Sequence, residues 1–253
     1  MPEFATVTRV WLTRAAGGVR RAAFVLPRMT ARSQLSAGRK ARRIPQLFVG
    51  LLGYGASVMV LVRSGLGAGS WNVFSEGIAR QFGISFGTAT NLIALVVLLA
   101  WIPLRELPGL GTALNVGLVG VAADATGAVL PPASRPLVQL AYLAAGLTAL
   151  PLFDALYLGA RFGSGPRDGV MTGLVRITGR SVATVRTCIE VVVVTTGWLL
   201  GGAPGPGTVV LALSIGPLLG VLLPRVVVQL DCDDMIGSAA QPSGTAAARR
   251  VLP

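Results

Sequence analysis

One phrase occurs twice in this chain. Gly67-Ala68-Gly69-Ser70-Trp71-Asn72 is echoed 96 residues later by Gly163-Ser164-Gly165-Pro166-Arg167-Asp168, and the same offset continues downstream without a gap. Gly77 falls on Gly173, Arg80 on Arg176, Gly83 on Gly179, Ser85 on Ser181 and Thr88 on Thr184. Pro108-Gly109-Leu110-Gly111-Thr112 falls on Pro204-Gly205-Pro206-Gly207-Thr208, and Gly120 falls on Gly216. Upstream, Leu47, Gly50 and Leu51 fall on Leu143, Gly146 and Leu147. An internal period of this length constrains the fold more than any composition does, because both copies must be solutions to the same packing problem.

The units are too apolar for water. Hydrophobic residues make up 53% of the 253, charged residues 13%, and the mean hydropathy is +0.70. A bilayer core about 30 Å thick takes about 20 residues of helix, and six stretches qualify: 44–62, 88–104, 111–130, 137–158, 182–200 and 208–223. Each unit also holds a segment too short and too charged to cross alone, 71–82 with Glu76 and Arg80, and its counterpart in the linker 161–180. The expected architecture is an all-α polytopic membrane protein. It has six transmembrane helices in two three-helix repeats, 44–134 and 135–224, each with a short broken, re-entrant or interfacial helix. Residues 1–43 read as a disordered basic tail, or as a weakly amphipathic helix over 7–25 lying on anionic lipid. Residues 225–253 read as a polar tail.

Charge sets the orientation. The formal net charge is +12, and ten of the 22 basic residues lie in the first 43. Placing that tail inside leaves Arg105 and the linker residues Arg161, Arg167, Arg176 and Arg180 inside as well, against Arg63, Arg80 and Arg135 outside, which is the positive-inside bias. Both termini are therefore expected in the cytoplasm of a bacterial cell. With three spans per unit, the second copy enters from the opposite side, giving inverted repeats of the kind secondary transporters use. Trp101 and Trp198, near span ends, are expected as interface anchors. The basic excess is thus accounted for by lipid and topology, and no nucleic-acid partner is expected.

Chemistry is limited by what the chain lacks. There is no His, and Cys188 and Cys232 have no metal-ligand spacing, so no metal site, cofactor or Ser-His-Asp triad is expected. No HExxH is present, and the GxSxG match at Gly83-Ile84-Ser85-Phe86-Gly87 has no His anywhere in the chain to serve it, so no enzyme activity or catalytic residue is assigned. The doubled phrase is the leading site. Gly67, Gly69, Gly163 and Gly165 permit tight turns and close approach, with Pro166 suited to a first helical position. Asn72, Arg167 and Asp168 fall in first turns, where free N–H groups and partial positive charge attract anions. Read structurally, each phrase caps a short surface helix; read functionally, each opens a re-entrant half-helix on a cavity. Polar groups at depth are costly and mark function by default, so Asn91, Asn115, Asp124 and Asp154 are candidates. Arg186 and Glu190 join them, and their i,i+4 spacing predicts an ion pair. The expected ligand is small and anionic or carbonyl-bearing.

These motifs resemble the YczE/YyaS/YitT group of bacterial integral membrane proteins. The resemblance rests on Gly67 to Asn72, Gly83-Ile84-Ser85-Phe86-Gly87-Thr88, Pro108 to Asn115, Gly163 to Gly169, and Arg186-Thr187-Cys188-Ile189-Glu190, within about 44–224. Ser70 stands where the group usually has Pro, and Asn72 where it usually has Asp, so the first copy has lost a charge that the second keeps. The group implies a multi-span membrane protein and no particular substrate. Two functions fit: a transporter or small-molecule-binding membrane subunit with its site at the repeat interface, or a non-transporting regulator or scaffold acting through a protein partner. Assembly as a homo-oligomer is compatible with either.

Overall fold

The computed structural model describes residues 34, 37–104, 106 and 108–230; the readings of the outer tails lie outside these. Among the described residues there are nine helices and no strand: α1 (Lys40–Ser64), α2 (Ser70–Phe82), α3 (Phe86–Leu99), α4 (Trp101–Leu104), α5 (Leu110–Val129), α6 (Pro136–Gly159), α7 (Pro166–Thr178), α8 (Val182–Leu199) and α9 (Pro206–Val226). Five segments are long and apolar enough to cross a bilayer, namely α1, α3 with α4, α5, α6 and α9. The chain is a multi-pass α-helical membrane protein. The remaining expected span, α8, has 18 residues and carries Arg186 and Glu190 in its first half.

Helix limits recur because their stop and start signals recur. Gly83 and Gly179 end α2 and α7 with the same left-handed φ of 64°, the common αL stop. Ser85 and Ser181 then start α3 and α8, each hydroxyl accepting from the N–H of Thr88 or Thr184 at 3.1 Å. Thr112 and Thr208 each accept from the N–H of Gly109 or Gly205 at 3.2 Å and so start α5 and α9. Such caps contribute about 1 kcal/mol each.

Contacts between the units are reciprocal. The Gly111 N–H donates to the Phe162 carbonyl at 2.7 Å, and the equivalent Gly207 N–H donates to Leu66 at 2.8 Å. Helices α1 and α6 cross where each has a glycine. A Cβ on Gly50 would sit 2.5 Å from the Tyr157 backbone N, and one on the equivalent Gly146 would overlap the side chain of Leu61, the residue equivalent to Tyr157. Small residues let backbones approach in a bilayer, where dispersion rather than water drives association. The two buried clusters lie along this crossing, one around Leu47, Leu51, Tyr157 and Phe162, the other around Val58, Leu61, Leu150 and Leu211.

Helix α1 begins four residues before the expected span. Arg43, assigned to the basic tail, is fully buried, with its guanidinium 4.1 Å from the Phe162 ring centroid. It donates to the carbonyls of Ala160 and Arg161 at 3.0 Å and of Ala37 at 3.1 Å. The Ala160 and Arg161 carbonyls lie at the end of α6, where a helix cannot satisfy them itself, so the charge is buried with its hydrogen bonds made. Trp101 also departs from expectation. It is not an interface anchor but is 4% exposed, its indole occupying the space beside Gly169 and donating to the Pro166 carbonyl at 2.8 Å. Trp198 is exposed.

Candidate ligand cavity between the units

Each doubled phrase forms a tight turn into a short helix. Gly67 and Gly163 adopt φ of 98° and 112°, which side chains rarely tolerate. Gly69 and Gly165 are the N-caps of α2 and α7, and Pro166 takes the first helical position as expected. Neither N-cap has a side-chain partner for its first turn.

The two starts do not lie on separate surfaces. Gly69, Ser70, Trp71 and Asn72 from one unit and Gly165, Pro166, Arg167 and Asp168 from the other line a single cavity of about 510 Å³. Trp71 and Arg167 occupy equivalent positions in the repeat, and the guanidinium lies 5.1 Å from the Trp71 ring centroid, a cation–π distance. Each short helix is tethered to the opposite unit by an equivalent arginine. Arg80 donates to the Gly201 carbonyl at 2.6 Å and pairs with Glu76, while Arg176 pairs with Glu106 and donates to the Leu104 carbonyl.

Longer helices complete the wall. Asn115 comes from α5, Asp154 and Tyr157 from α6, Arg186 and Glu190 from α8, and Tyr54 and Thr90 from α1 and α3. Of the sequence candidates, the structure thus gathers Gly69, Asn72, Asn115, Asp154, Gly165, Arg167, Asp168, Arg186 and Glu190. Gly67 and Gly163 shape the turns behind the wall. Asn91 and Asp124 are elsewhere, in the seam between α3 and α5. The Asn91 amide donates to the Gly117 carbonyl and accepts from the Gly120 N–H, both at 3.0 Å. Asp124 accepts from the Ser85 hydroxyl at 2.5 Å and the Gly87 N–H at 2.7 Å, holding the start of α3.

The expected ion pair between Arg186 and Glu190 does not form. None of the five charged cavity side chains is in an ion pair within 4.0 Å. Helical spacing brings residues to one face but does not choose between an intrahelical partner and the open cavity. All five, Asp154, Arg167, Asp168, Arg186 and Glu190, line the same cavity instead.

Three cavity side chains have buried polar atoms with no partner: Asn72 through Oδ1, Thr90 through Oγ1 and Tyr157 through its hydroxyl. They are only 4%, 3% and 2% exposed. An unpaired buried polar atom costs about 1–3 kcal/mol, so three of them around one cavity point to an occupant with hydrogen bonds to offer. Tyr54, Trp71, Thr90 and Tyr157 were not legible as site residues, although Tyr157 lies one helical turn from Asp154 and so shares its face.

Comparison with known proteins adds kinship and no chemistry. The family of unknown function designated DUF6198 matches residues 41–224. An uncharacterized protein of Haemophilus influenzae is 36% identical over 201 residues, covering 79% of this chain and 91% of that one. The uncharacterized membrane protein YczE of Bacillus subtilis is 30% identical over 181 residues, covering 70% and 84%, and YyaS of the same organism is 24% identical over 182 residues, covering 70% and 90%. These bear out the resemblance to the YczE and YyaS group. No solved structure matches.

Proposed function

The chain belongs to the DUF6198 family of unknown function, and from that footing we propose that it is a small-solute transporter of the bacterial plasma membrane. In this reading six helices cross the membrane as two inverted three-helix units, with both termini in the cytoplasm. The short helices α2 and α7 are half-helices that end near mid-depth. The observation that carries the reading is the shared cavity: equivalent elements of both units surround it, and three of the residues lining it hold buried polar atoms without partners. Irregular backbone at such depth is tolerable only where protein or a water-filled cavity covers it, and repeat interfaces of this kind are where secondary transporters bind their cargo.

With the termini inside, the seam between α3 and α5 lies toward the outside and is closed. The equivalent region between α8 and α9 lies toward the cytoplasm and is loose. Thr90 is buried, whereas the equivalent Arg186 is exposed, and a Cβ on Gly216 or Gly220 would meet nothing within 4 Å. The cavity is then open to the cytoplasm and sealed from outside, one of the two states that alternating access requires.

Labelling tests this. Thr187 lines the cavity on α8. A Thr187→Cys variant in which Cys188 and Cys232 are replaced by Ser is expected to react with a membrane-impermeant maleimide rapidly from the cytoplasmic side of sealed vesicles. It is expected to react more slowly but measurably from the outer side. Reaction from one side only, however long the exposure, would leave a static pocket and favour the regulator or scaffold function instead.

A further inference from the structure

Resting on that reading, we propose that the cavity takes an amino-acid-sized zwitterion, with its carboxylate at the α2 N-terminus beside Arg167 and its ammonium at Asp154. The two short helices start alike and differ in one charge. Asp168 sits in the first turn of α7, so that end carries its own anion. Helix α2 has no acid in its first turn, and Asn72 stands in the equivalent place. The N–H groups of Ser70 and Trp71, left over once Asn72 and Val73 donate to the Gly69 carbonyl, therefore stand at the cavity wall with no acid of their own helix to neutralise them. The Arg167 guanidinium, stacked on Trp71, adds a full positive charge there. This is the pole for a carboxylate.

The rest of the wall has the opposite sign. Asp154, Asp168 and Glu190 face Arg167 and Arg186, so the carboxylates exceed the guanidinium groups by one. Asp154 accepts no hydrogen bond and joins no ion pair, and the unpartnered Asn72 Oδ1 is an acceptor awaiting a donor. An anion alone would leave that excess uncompensated in a low-dielectric wall, and an amine alone would leave the α2 N-terminus unmet. A zwitterion answers both. The volume is in the range that holds one small ligand, and Val119, Leu150, Leu211 and Ile215 offer an apolar wall for a side chain.

The test uses the full chain in lipid nanodiscs and three matched probe sets. These are the twenty protein amino acids with glycine betaine, the corresponding carboxylates without the amine, and the corresponding amines without the carboxylate. Each compound is assayed singly by thermal unfolding. At about 100 times its Kd, a binding zwitterion raises Tm by several degrees. At least one zwitterion is expected to do so while neither of its single-ion analogues does, and Asp154→Asn is expected to abolish the rise. If Asp154→Asn does not fold, Arg167→Gln reads the other pole and is expected to lose the same rise. A carboxylate or an amine that stabilises as much as its zwitterion overturns the assignment and leaves a solute cavity standing. No rise with any zwitterion also overturns it, and two-sided labelling of Thr187→Cys then decides separately whether the transport reading survives.

Discussion

The seam between α3 and α5 and its counterpart between α8 and α9 are built from equivalent positions and end in different states. In the first, Gly87 and Gly120 bring two backbones so close that a Cβ on either would overlap the other's carbonyl oxygen. Asn91 bridges Gly117 and Gly120, and Asp124 holds Ser85 and Gly87. In the second, Thr187 stands for Asn91, Leu213 for Gly117 and Gly220 for Asp124, and Gly216 has open space around it. The polar clamp is present in one copy and missing from the other. The short helices show the converse. Helix α8 lies against α2 with Gly197 in backbone contact with Phe74, where the first copy has Trp101 at the equivalent position and fills the space beside Gly169 with an indole. A handful of side chains thus sets the same frame in two conformations, which is what a protein that exchanges them would need.

The largest break in this comparison should come from Gly120→Val. The added carbons have nowhere to go, and the Asn91 and Asp124 bonds would be strained with them. Overpacking of this kind costs about 1–3 kcal/mol or more, so a Tm fall of several degrees is expected. Asp124→Asn should cost less, about 1 kcal/mol, because it turns hydrogen bonds to a charged group into neutral ones while leaving the shape; denaturation in mixed micelles measures it. Gly216→Val should have the smallest effect on stability, within about 0.5 kcal/mol, since nothing lies near it. It is nonetheless expected to slow outer-side labelling of Thr187→Cys, because the new side chain blocks α8 from closing on α9. Equal destabilisation by the two glycine variants would show that the halves are packed alike.

Much of this frame was legible in the sequence because caps and turns are local. The 96-residue offset places Ser85 with Ser181 and Gly83 with Gly179, and the helix limits follow it closely. The convergence of the two glycine phrases was legible as one of two alternatives, since a capped helix start reads the same on a surface or in a cavity. The partners of Arg43 and Trp101 were not legible, nor was it legible that Arg186 would turn to the cavity. Arg43 and Trp101 are placed by residues of the other unit, and neither spacing nor charge along one helix encodes which distant carbonyl or cavity a long side chain will meet. Asn91 and Asp124 illustrate the same gap. Polar residues inside a span are equally good as glue or as ligands until the neighbouring helix is known.

The claim that the two units are one device in two conformations is tested most directly by spin-label distances at equivalent pairs. Thr88 with Ala125 reports the closed seam, and Thr184 with Val221 reports its loose counterpart; all four positions are exposed. Double electron–electron resonance in nanodiscs is expected to give a short dominant distance for the first pair and a long one for the second, each with a minor population at the other's value. Any condition that shifts one pair is expected to shift the other in the opposite sense. A single unchanging distance at each pair, in every condition that alters labelling of Thr187→Cys, would contradict the account.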